Sequence, residues 1–333
     1  SKSLLAPKLE RWQGPALVAW NDAVFSPADF HNIARIGQDS KVDRPAAAGR
    51  FGLGFNAIYH FTDLPSFVSG EYLVMFDPHA THLPGATAAR PGLKIAFADS
   101  PLLRQFPDQF STYRGHFGCD LSKAYDATLF RFPLRTETAA KSSEIKPEAY
   151  TVDAVLALFE QFRSRAAQTL LFLKNVRKIS VYERDADADE PTLLYEASIP
   201  SFQDGKDPRA TVLQWVAGDV SLGRDDTSAS RATVATSAVK KSAFADKLRA
   251  MPESSLPSSV GWMDLVVRQR QRGGSLCDSK ERWMVSSSLA GGRARALALS
   301  EAGVTRGLVP WVGVAARVPH PETSDDATSS ETV

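Results

Sequence analysis

The stretch Gly49–Asp63, GRFGLGFNAIYHFTD, constrains the fold of this chain more than any other. Its glycines Gly49, Gly52 and Gly54 alternate with apolar residues and lead into a segment typical of a helix start. Glycine leaves backbone N–H groups uncovered, and consecutive N–H groups ahead of a helix form a concave anion site. The stretch predicts either a phosphate-binding turn or a tight turn between apolar elements, and the spacing alone leaves both open.

The composition is that of an ordinary globular protein with about two domains. Of the 333 residues, 43% are hydrophobic and 23% are charged, and 39 basic against 38 acidic residues give a net charge of +1. This balance gives no reason to expect nucleic acid or an acidic membrane as a partner. Two cysteines without a metal-like spacing, and no apolar run of membrane-spanning length, favour a reducing, cytoplasmic compartment.

Two polar residues follow the first buried strand. The apolar run Ala16–Trp20 predicts this strand, and Asn21 and Asp22 come directly after it. Side chains at a strand end can face a ligand, although plain turn chemistry explains the same two residues. Ser26 predicts a helix N-cap followed by proline, and Gly37–Ala48 predicts a mobile loop ahead of the glycines.

Further elements are predicted downstream. Strands are expected at 72–76, 128–134, 179–182, 283–287 and 308–318, and helices at 152–172 and 291–302. His79 and His82 near Asp77 leave open a metal trio or structural loop residues, because their spacing matches no standard zinc pattern. The basic run Arg268–Gly274 predicts a solvated turn or a phosphate contact.

Four segments together resemble the sacsin family. They are WQGPALVAWNDAVFSPADF, the glycine stretch, VSGEYLVMFDPH and ATLFRFPLR, and the resemblance covers about residues 1–200. That family carries an ATPase-like domain similar to the N-terminal domain of the ninety-kilodalton heat-shock chaperone. The resemblance implies an α+β fold: a two-layer Bergerat (GHKL-type) sandwich with helices on one face of a mostly antiparallel sheet, followed by a smaller α/β segment.

The resemblance also suggests how the chain is divided. Residues 1–183 are expected to form the ATPase-like domain and residues 184–318 a second α+β segment with a Ser/Thr-rich insertion near 221–242. Residues 319–333 are expected to be a disordered tail.

In this fold a first helix with a Glu-x-x-x-Asn pattern handles Mg²⁺ and the attacking water. Only fifteen residues precede Ala16, and they contain no such pattern. We therefore expect a fragment that lacks this helix and does not hydrolyse ATP at a chaperone-like rate.

Matched residue by residue, the resemblance implies an ATP or ADP pocket. Asn21 stands where the chaperones carry the aspartate that reads the adenine amino group, and the adjacent Asp22 is the alternative reader. Thr128 matches the strand threonine beside the adenine, and residues 38–48 correspond to the lid. The implied cofactor-binding residues are Asn21, Asp22, Gly37, Gly49, Phe51, Gly52, Gly54, Phe55 and Thr128. No catalytic or metal-binding residue is implied, and Mg²⁺ is expected only together with the missing helix.

Three functions stay open at this stage. The first is an ATP- or ADP-binding chaperone-type module in protein folding or quality control, with chaperones or client proteins as partners. The second is a non-catalytic scaffold or interaction domain with a degenerate nucleotide pocket. The third is a true ATPase whose first helix comes from another chain or from a missing exon.

Overall fold

A computed structural model of the chain describes residues 2–33, 53–173, 175–185, 188, 190–200, 202, 207–217, 243–271 and 274–319. These residues form two compact units, with the boundary after Leu158. Each unit holds a five-stranded sheet in which neighbouring strands run antiparallel, so the expected α+β class is confirmed. The lid at 38–48, the insertion at 221–242 and the tail from 320 lie outside the described residues.

The N-terminal unit contains the strands expected at 16–20, 72–76 and 128–134. Its strands are β1 (Ala16–Asn21), β2 (Ser66–Gly70), β3 (Tyr72–Phe76), β4 (Gly92–Ala96) and β5 (Tyr125–Pro133). They form one sheet in the order β1-β5-β2-β3-β4. The helices are α1 (Pro27–Ile33), α2 (Leu53–Asn56), α3 (Pro101–Gln105), α4 (Pro107–Ser111) and α5 (Glu137–Ala140).

The two faces of this sheet carry different side chains, because successive residues of a strand point to opposite faces. Val68 and Leu129 belong to a mainly aliphatic core on one face, which Leu9 and Trp12 of an N-terminal 3₁₀ helix also join. The opposite face is aromatic. Ring contacts there connect Phe25, Phe30, Phe55, Phe67, Phe76, Phe130 and Phe132.

Helix α1 begins as its sequence predicts. The Ser26 hydroxyl donates to Asp29 Oδ2 at 2.7 Å, and the Asp29 backbone N–H donates to Ser26 Oγ at 3.3 Å. Asp29 Oδ2 also accepts from the Ser26 backbone N–H at 3.1 Å. This reciprocal capping box satisfies donors at the helix start and places Phe30 over the aromatic face.

The C-terminal unit contains the remaining strands. These are β6 (Lys178–Glu183), β7 (Thr192–Ser198), β8 (Ser258–Arg270), β9 (Leu276–Leu289) and β10 (Trp311–Val318), in the sheet order β10-β9-β8-β7-β6. The helices are α6 (Val152–Leu170), within which the unit boundary falls, α7 (Ala210–Ala217), α8 (243–250), α9 (Gly292–Leu299) and α10 (Glu301–Thr305).

Two sequence expectations for this unit were wrong. The single helix expected at 291–302 is broken, because the Ser300 hydroxyl accepts the Gly303 N–H at 3.1 Å and caps α10. The basic run Arg268–Gly274 is also not wholly a turn, since its first three residues complete β8.

One face of the second sheet is packed and the other is open. Ala166 and Leu170 of α6 pack against Tyr195, Met263 and Val285 on the packed face. A second cluster joins α7, α8 and α9 to Leu289. The open face carries a ladder of ion pairs, in which Lys178 contacts Glu196 at 3.2 Å, Arg268 contacts Asp278 at 2.9 Å and Arg282 contacts Asp264 at 2.9 Å.

Arg209 stabilises the end of helix α6. Its guanidinium is buried, pairs with Asp207, and donates to the carbonyl oxygens of Leu170 and Leu173 at 2.7 Å and of Val176 at 3.2 Å. The last carbonyls of a helix have no partner within the helix, so this arginine supplies a donor to Leu170 and connects the end of α6 to the chain that follows it.

Candidate functional site

Asn21 and Thr128 lie side by side at one end of the aromatic face. Asn21 is the last residue of β1 and stands directly opposite Thr128 of β5 in the strand register. Residues directly opposite in an antiparallel pair share a face of the sheet. The structure therefore brings together the two residues that sequence reasoning assigned to the adenine end of a pocket.

The loop that follows β1 is fastened over this end of the sheet by a relay of hydrogen bonds. The Thr128 hydroxyl donates to the Ala23 carbonyl oxygen at 2.7 Å, so the Ser69 hydroxyl donates to Thr128 Oγ1 at 2.8 Å. Ser69 Oγ in turn accepts the Phe25 backbone N–H at 2.9 Å. Ser69 and Thr128 are fully buried, and every donor in the relay has an acceptor.

Sequence reasoning missed Ser69. The residue lies next to Gly70 at the end of β2, and its register partner is Thr128. A serine among the apolar residues of a buried strand was the available signal, because a buried hydroxyl needs a hydrogen-bond partner.

Asn21 and Asp22 are both exposed, but they differ in their bonding. Asn21 Oδ1 accepts the Ala23 backbone N–H at 3.1 Å, and its amide nitrogen takes no part in that bond. Asp22 lies beyond the strand, where its carboxylate is exposed. Of Asn21 and Asp22, it is therefore Asn21 that the strand register holds opposite Thr128.

Helix α2 packs on the aromatic face through Phe55, whereas the neighbouring Gly54 is exposed. The Phe55 ring lies 5.4 Å from the Phe76 ring and 6.3 Å from the Phe130 ring, measured between centroids. Phe55 therefore anchors the helix on the sheet through apolar contacts. A Cβ atom at Gly54 would meet nothing within 4 Å, so open space lies in front of this glycine.

Four of the expected site residues lie outside the described part of the chain: Gly37, Gly49, Phe51 and Gly52. The phosphate-binding turn that they were expected to form therefore stays a prediction.

A buried ion pair supports the segment that follows the glycines, and sequence reasoning did not find it. Arg135 is fully buried, and its Nε donates to Asp63 Oδ1 at 2.7 Å, while its terminal nitrogens reach the same carboxylate and the carbonyl oxygens of Tyr59 and His60. Burial, with the charge of Asp63 adding to it, raises the pKa of Tyr59 to about 12. His79 Nε2 contacts Asp63 Oδ2 at 3.3 Å.

The histidines near Asp77 serve two separate carboxylates. His82 Nδ1 lies 3.1 Å from Asp77 Oδ1, whereas His79 contacts Asp63. Burial alone would raise the pKa of Asp77, but hydrogen bonds from the His82 ring and from the backbone N–H groups of Leu83 and His82 outweigh it and lower the pKa to about 2. Across the described residues, no group of three or more His, Cys, Asp or Glu side chains is placed to hold one metal ion.

Neither cysteine is in a disulfide, and Cys119 is buried while Cys277 is exposed. Burial raises the pKa of Cys119 to about 11, so its thiol stays protonated and unreactive at neutral pH. In the described ranges, no helix has both the length and the apolar character needed to cross a membrane.

Comparison with known proteins matches the region of the chain that contains the candidate site. The model of the sacsin domain family matches residues 1–196. The chain belongs to the sacsin domain family. It is also 39% identical to human sacsin (Homo sapiens) over 206 residues, which are 60% of this chain. The aligned region corresponds to 4% of human sacsin, so the chain spans a small part of the length of that relative.

The sacsin-domain match includes the residues of the candidate site that the structure describes. Asn21, Ser69 and Thr128, the aromatic face and the Asp63–Arg135 pair all lie within residues 1–196. The match ends near β7, so most of the second sheet lies beyond it.

Proposed function

We propose that the N-terminal unit is a nucleotide-binding module for ATP or ADP and that this chain alone does not hydrolyse the nucleotide. The observation that carries the proposal is the Asn21–Thr128 pair at the end of the aromatic face, with helix α2 packed on the same face through Phe55. Asn21 supplies an exposed polar group for a base, and the aromatic face of the sheet lies beside it.

The Asn21 amide matches the edge of adenine chemically. An amide offers an acceptor oxygen and a donor nitrogen, and adenine presents an amino donor beside a ring-nitrogen acceptor. In place of the aspartate that the chaperones carry, Asn21 could therefore form two hydrogen bonds with the base. A Cβ atom at Gly54 would meet nothing within 4 Å, so this glycine leaves the surface of α2 uncovered.

The proposed lack of hydrolysis by this chain alone is supported by the residues that it supplies. Activation of water requires a carboxylate to accept its proton, and Mg²⁺ requires oxygen ligands. No Glu-x-x-x-Asn pattern occurs before Ala16. Asp29, a carboxylate close to this face, is hydrogen-bonded to Ser26 in the helix cap.

Isothermal titration calorimetry of the full chain with ADP and with ATP tests binding. We expect Asn21→Ala to weaken binding about tenfold or more, since it removes hydrogen bonds to the base. Asn21→Asp should retain measurable binding, because it keeps an acceptor and the bond to Ala23. Thr112→Val, which removes a hydroxyl elsewhere in the unit, is the control. Equal affinity of the wild type and Asn21→Ala would contradict the assignment.

Turnover of Mg-ATP tests the second part of the proposal. We expect no phosphate-releasing activity that co-purifies with the folded protein. Efficient turnover that disappears when the protein is unfolded would contradict the proposal and favour a true ATPase that obtains its missing groups elsewhere.

A second function, a non-catalytic interaction module, is favoured by the relay that holds the loop. The Thr128 and Ser69 hydroxyls already bind Ala23 and Phe25, and the Phe25 ring lies 4.9 Å from that of Phe67. If neither nucleotide produces heat of binding with the folded wild type, this alternative replaces the first.

The wider role that we propose is in protein folding or quality control in the cytoplasm, with chaperones or client proteins as partners. Support comes from membership of the sacsin domain family and from the two free cysteines, which suit a reducing compartment. Suppression of the aggregation of a thermally unfolding enzyme, measured by light scattering, tests this role. Unchanged scattering at excess chain would count against it.

A further inference from the structure

Among the described residues, strand β10 is one edge of the second sheet, and its composition is unusual for an edge strand. Strand β10 pairs with β9 without a register shift over all eight of its residues, and it is the last strand in the sheet order. Its sequence WVGVAARV contains one charged residue, Arg317. Exposed edges are usually protected by charges, prolines or bulges, because their unpaired backbone groups attract other strands.

The opposite edge of the same sheet shows such protection. Strand β6 has a register shift between Val181 and Tyr182, and it begins at Lys178 and ends at Glu183. Within the described residues of this sheet, β10 is therefore the edge without a register shift, and its strand residues include no proline and a single charge.

An apolar patch reaches the β10 edge on the open face. Val314 stands opposite Ser286 of β9, which stands opposite Val260 of β8, so the three residues form one row. Val314 is 63% exposed and Val260 67% exposed. The next row contains Trp262, Met284 and Ala316. Contiguous exposed apolar residues of this kind indicate a contact surface.

We propose that the β10 edge is a self-association surface, on which a second copy of this chain pairs antiparallel with Val314 opposite its own Val314. This register continues the open face across the junction, with Val312 opposite Ala316 of the second copy. On the packed face it sets Gly313 opposite Ala315 and Trp311 opposite Arg317 of the second copy.

The charge on β10 and the residues that flank this strand are compatible with pairing to a second copy. Arg317 contacts Glu281 of β9 at 3.5 Å and is 62% exposed, and in this register it stands opposite Trp311 of the second copy, whose ring attracts a cation, so like charges are not opposed. Pro310 and Pro319 bound the strand, and a proline cannot donate to a ladder, so pairing ends with the strand itself. The protected β6 edge keeps the assembly a closed dimer.

Sedimentation equilibrium of the full chain over a wide concentration range tests the proposal. We expect a monomer–dimer equilibrium whose dissociation constant rises about tenfold or more in Val314→Arg, because two like charges then stand directly opposite. Leu276→Arg is the matched control: it introduces the same charge at an exposed apolar residue on the same face, on β9 beyond the end of β10, and should leave the constant unchanged. A wild type that is monomeric throughout, or equal effects of the two variants, would overturn the proposal.

Disulfide cross-linking tests the register. In a Cys277→Ser background, which removes the exposed thiol, Val314→Cys should form a covalent dimer under mild oxidation, because directly opposed residues lie within disulfide reach. Val312→Cys should not, since its own counterpart lies several residues away along the second copy. Efficient cross-linking at 312 and none at 314 would disprove this pairing even if a dimer forms.

Discussion

The two sheets have the same number of strands and the same antiparallel pairing, but they place charge differently. In the N-terminal unit, both faces of the sheet carry packed apolar side chains, and the charged side chains of Arg131 and Arg135 are buried. In the C-terminal unit, one face is open, and its charges form ion pairs across the surface, such as Arg268 with Asp278.

Burial determines how strongly each set of charges constrains the structure around it. A buried guanidinium must satisfy its donors inside the protein, and Arg131 does so with the carbonyl oxygens of Trp12 and Gly14 at 3.1 and 3.2 Å. Such groups fix the geometry of the chain around them, because any movement leaves a polar group unpaired. The exposed ion pairs can exchange their partners for water, so they can be rearranged at little cost in free energy.

Removal of a buried charge should have the largest effect. We expect Arg135→Ala to lower the free energy of unfolding by about 3–5 kcal/mol, because Asp63 stays buried without its cation. Urea denaturation followed by circular dichroism measures the change. Arg104→Ala, an exposed arginine on α3 in the same unit, should change the stability by less than about 0.5 kcal/mol.

The aromatic face should be nearly as sensitive. Phe67 is fully buried and contacts the rings of Phe25, Phe76 and Phe130, so Phe67→Ala should cost about 3–5 kcal/mol. Val260→Ala on the open sheet should cost less than about 1 kcal/mol. Similar losses in the two variants would show that the open face is covered in solution.

A buried carboxylate should make the N-terminal unit sensitive to acid. The pKa of Asp77 is lowered from 3.8 to about 2, so its contribution to stability is complete above about pH 4 and is lost as the pH falls towards 2. The loss amounts to about 2 kcal/mol. Asp77→Asn should remove this part of the acid dependence, measured by urea denaturation at each pH. The exposed Asp278→Asn should leave it in place.

The smallest effect is expected on the ion-pair ladder. Arg268→Gln should lower stability by less than about 1 kcal/mol, and the difference from the wild type should shrink at high salt. A loss as large as that of Arg135→Ala would mean that the ladder is not exposed to solvent when the protein is in solution.

Local signals in the sequence predicted much of the fold. The Ser26 cap and the strands at 16–20, 72–76 and 128–134 depend on residues close together in the chain, and the structure contains all of them. Strand β9 was predicted only at its apolar end, because its other half carries alternating charges that resemble a solvated loop.

Contacts between distant residues could not be predicted in this way. Asp63 and Arg135 are 72 positions apart, and Ser69 and Thr128 are 59 apart, so no local pattern connects them. The resemblance to a family named Asn21 and Thr128 but not the serine that holds the loop between them. Pairing of this kind depends on the strand order, which single-residue patterns do not contain.

The relay from Phe25 through Ser69 and Thr128 to Ala23 has a kinetic consequence. A ligand can contact the Thr128 hydroxyl only after this loop opens. The hydroxyl is buried, and it both donates and accepts a hydrogen bond within the protein. The observed association rate would then level off at high ligand concentration, at the rate at which the loop opens. Ser69→Ala, which removes the central hydroxyl, should raise that plateau in stopped-flow measurements.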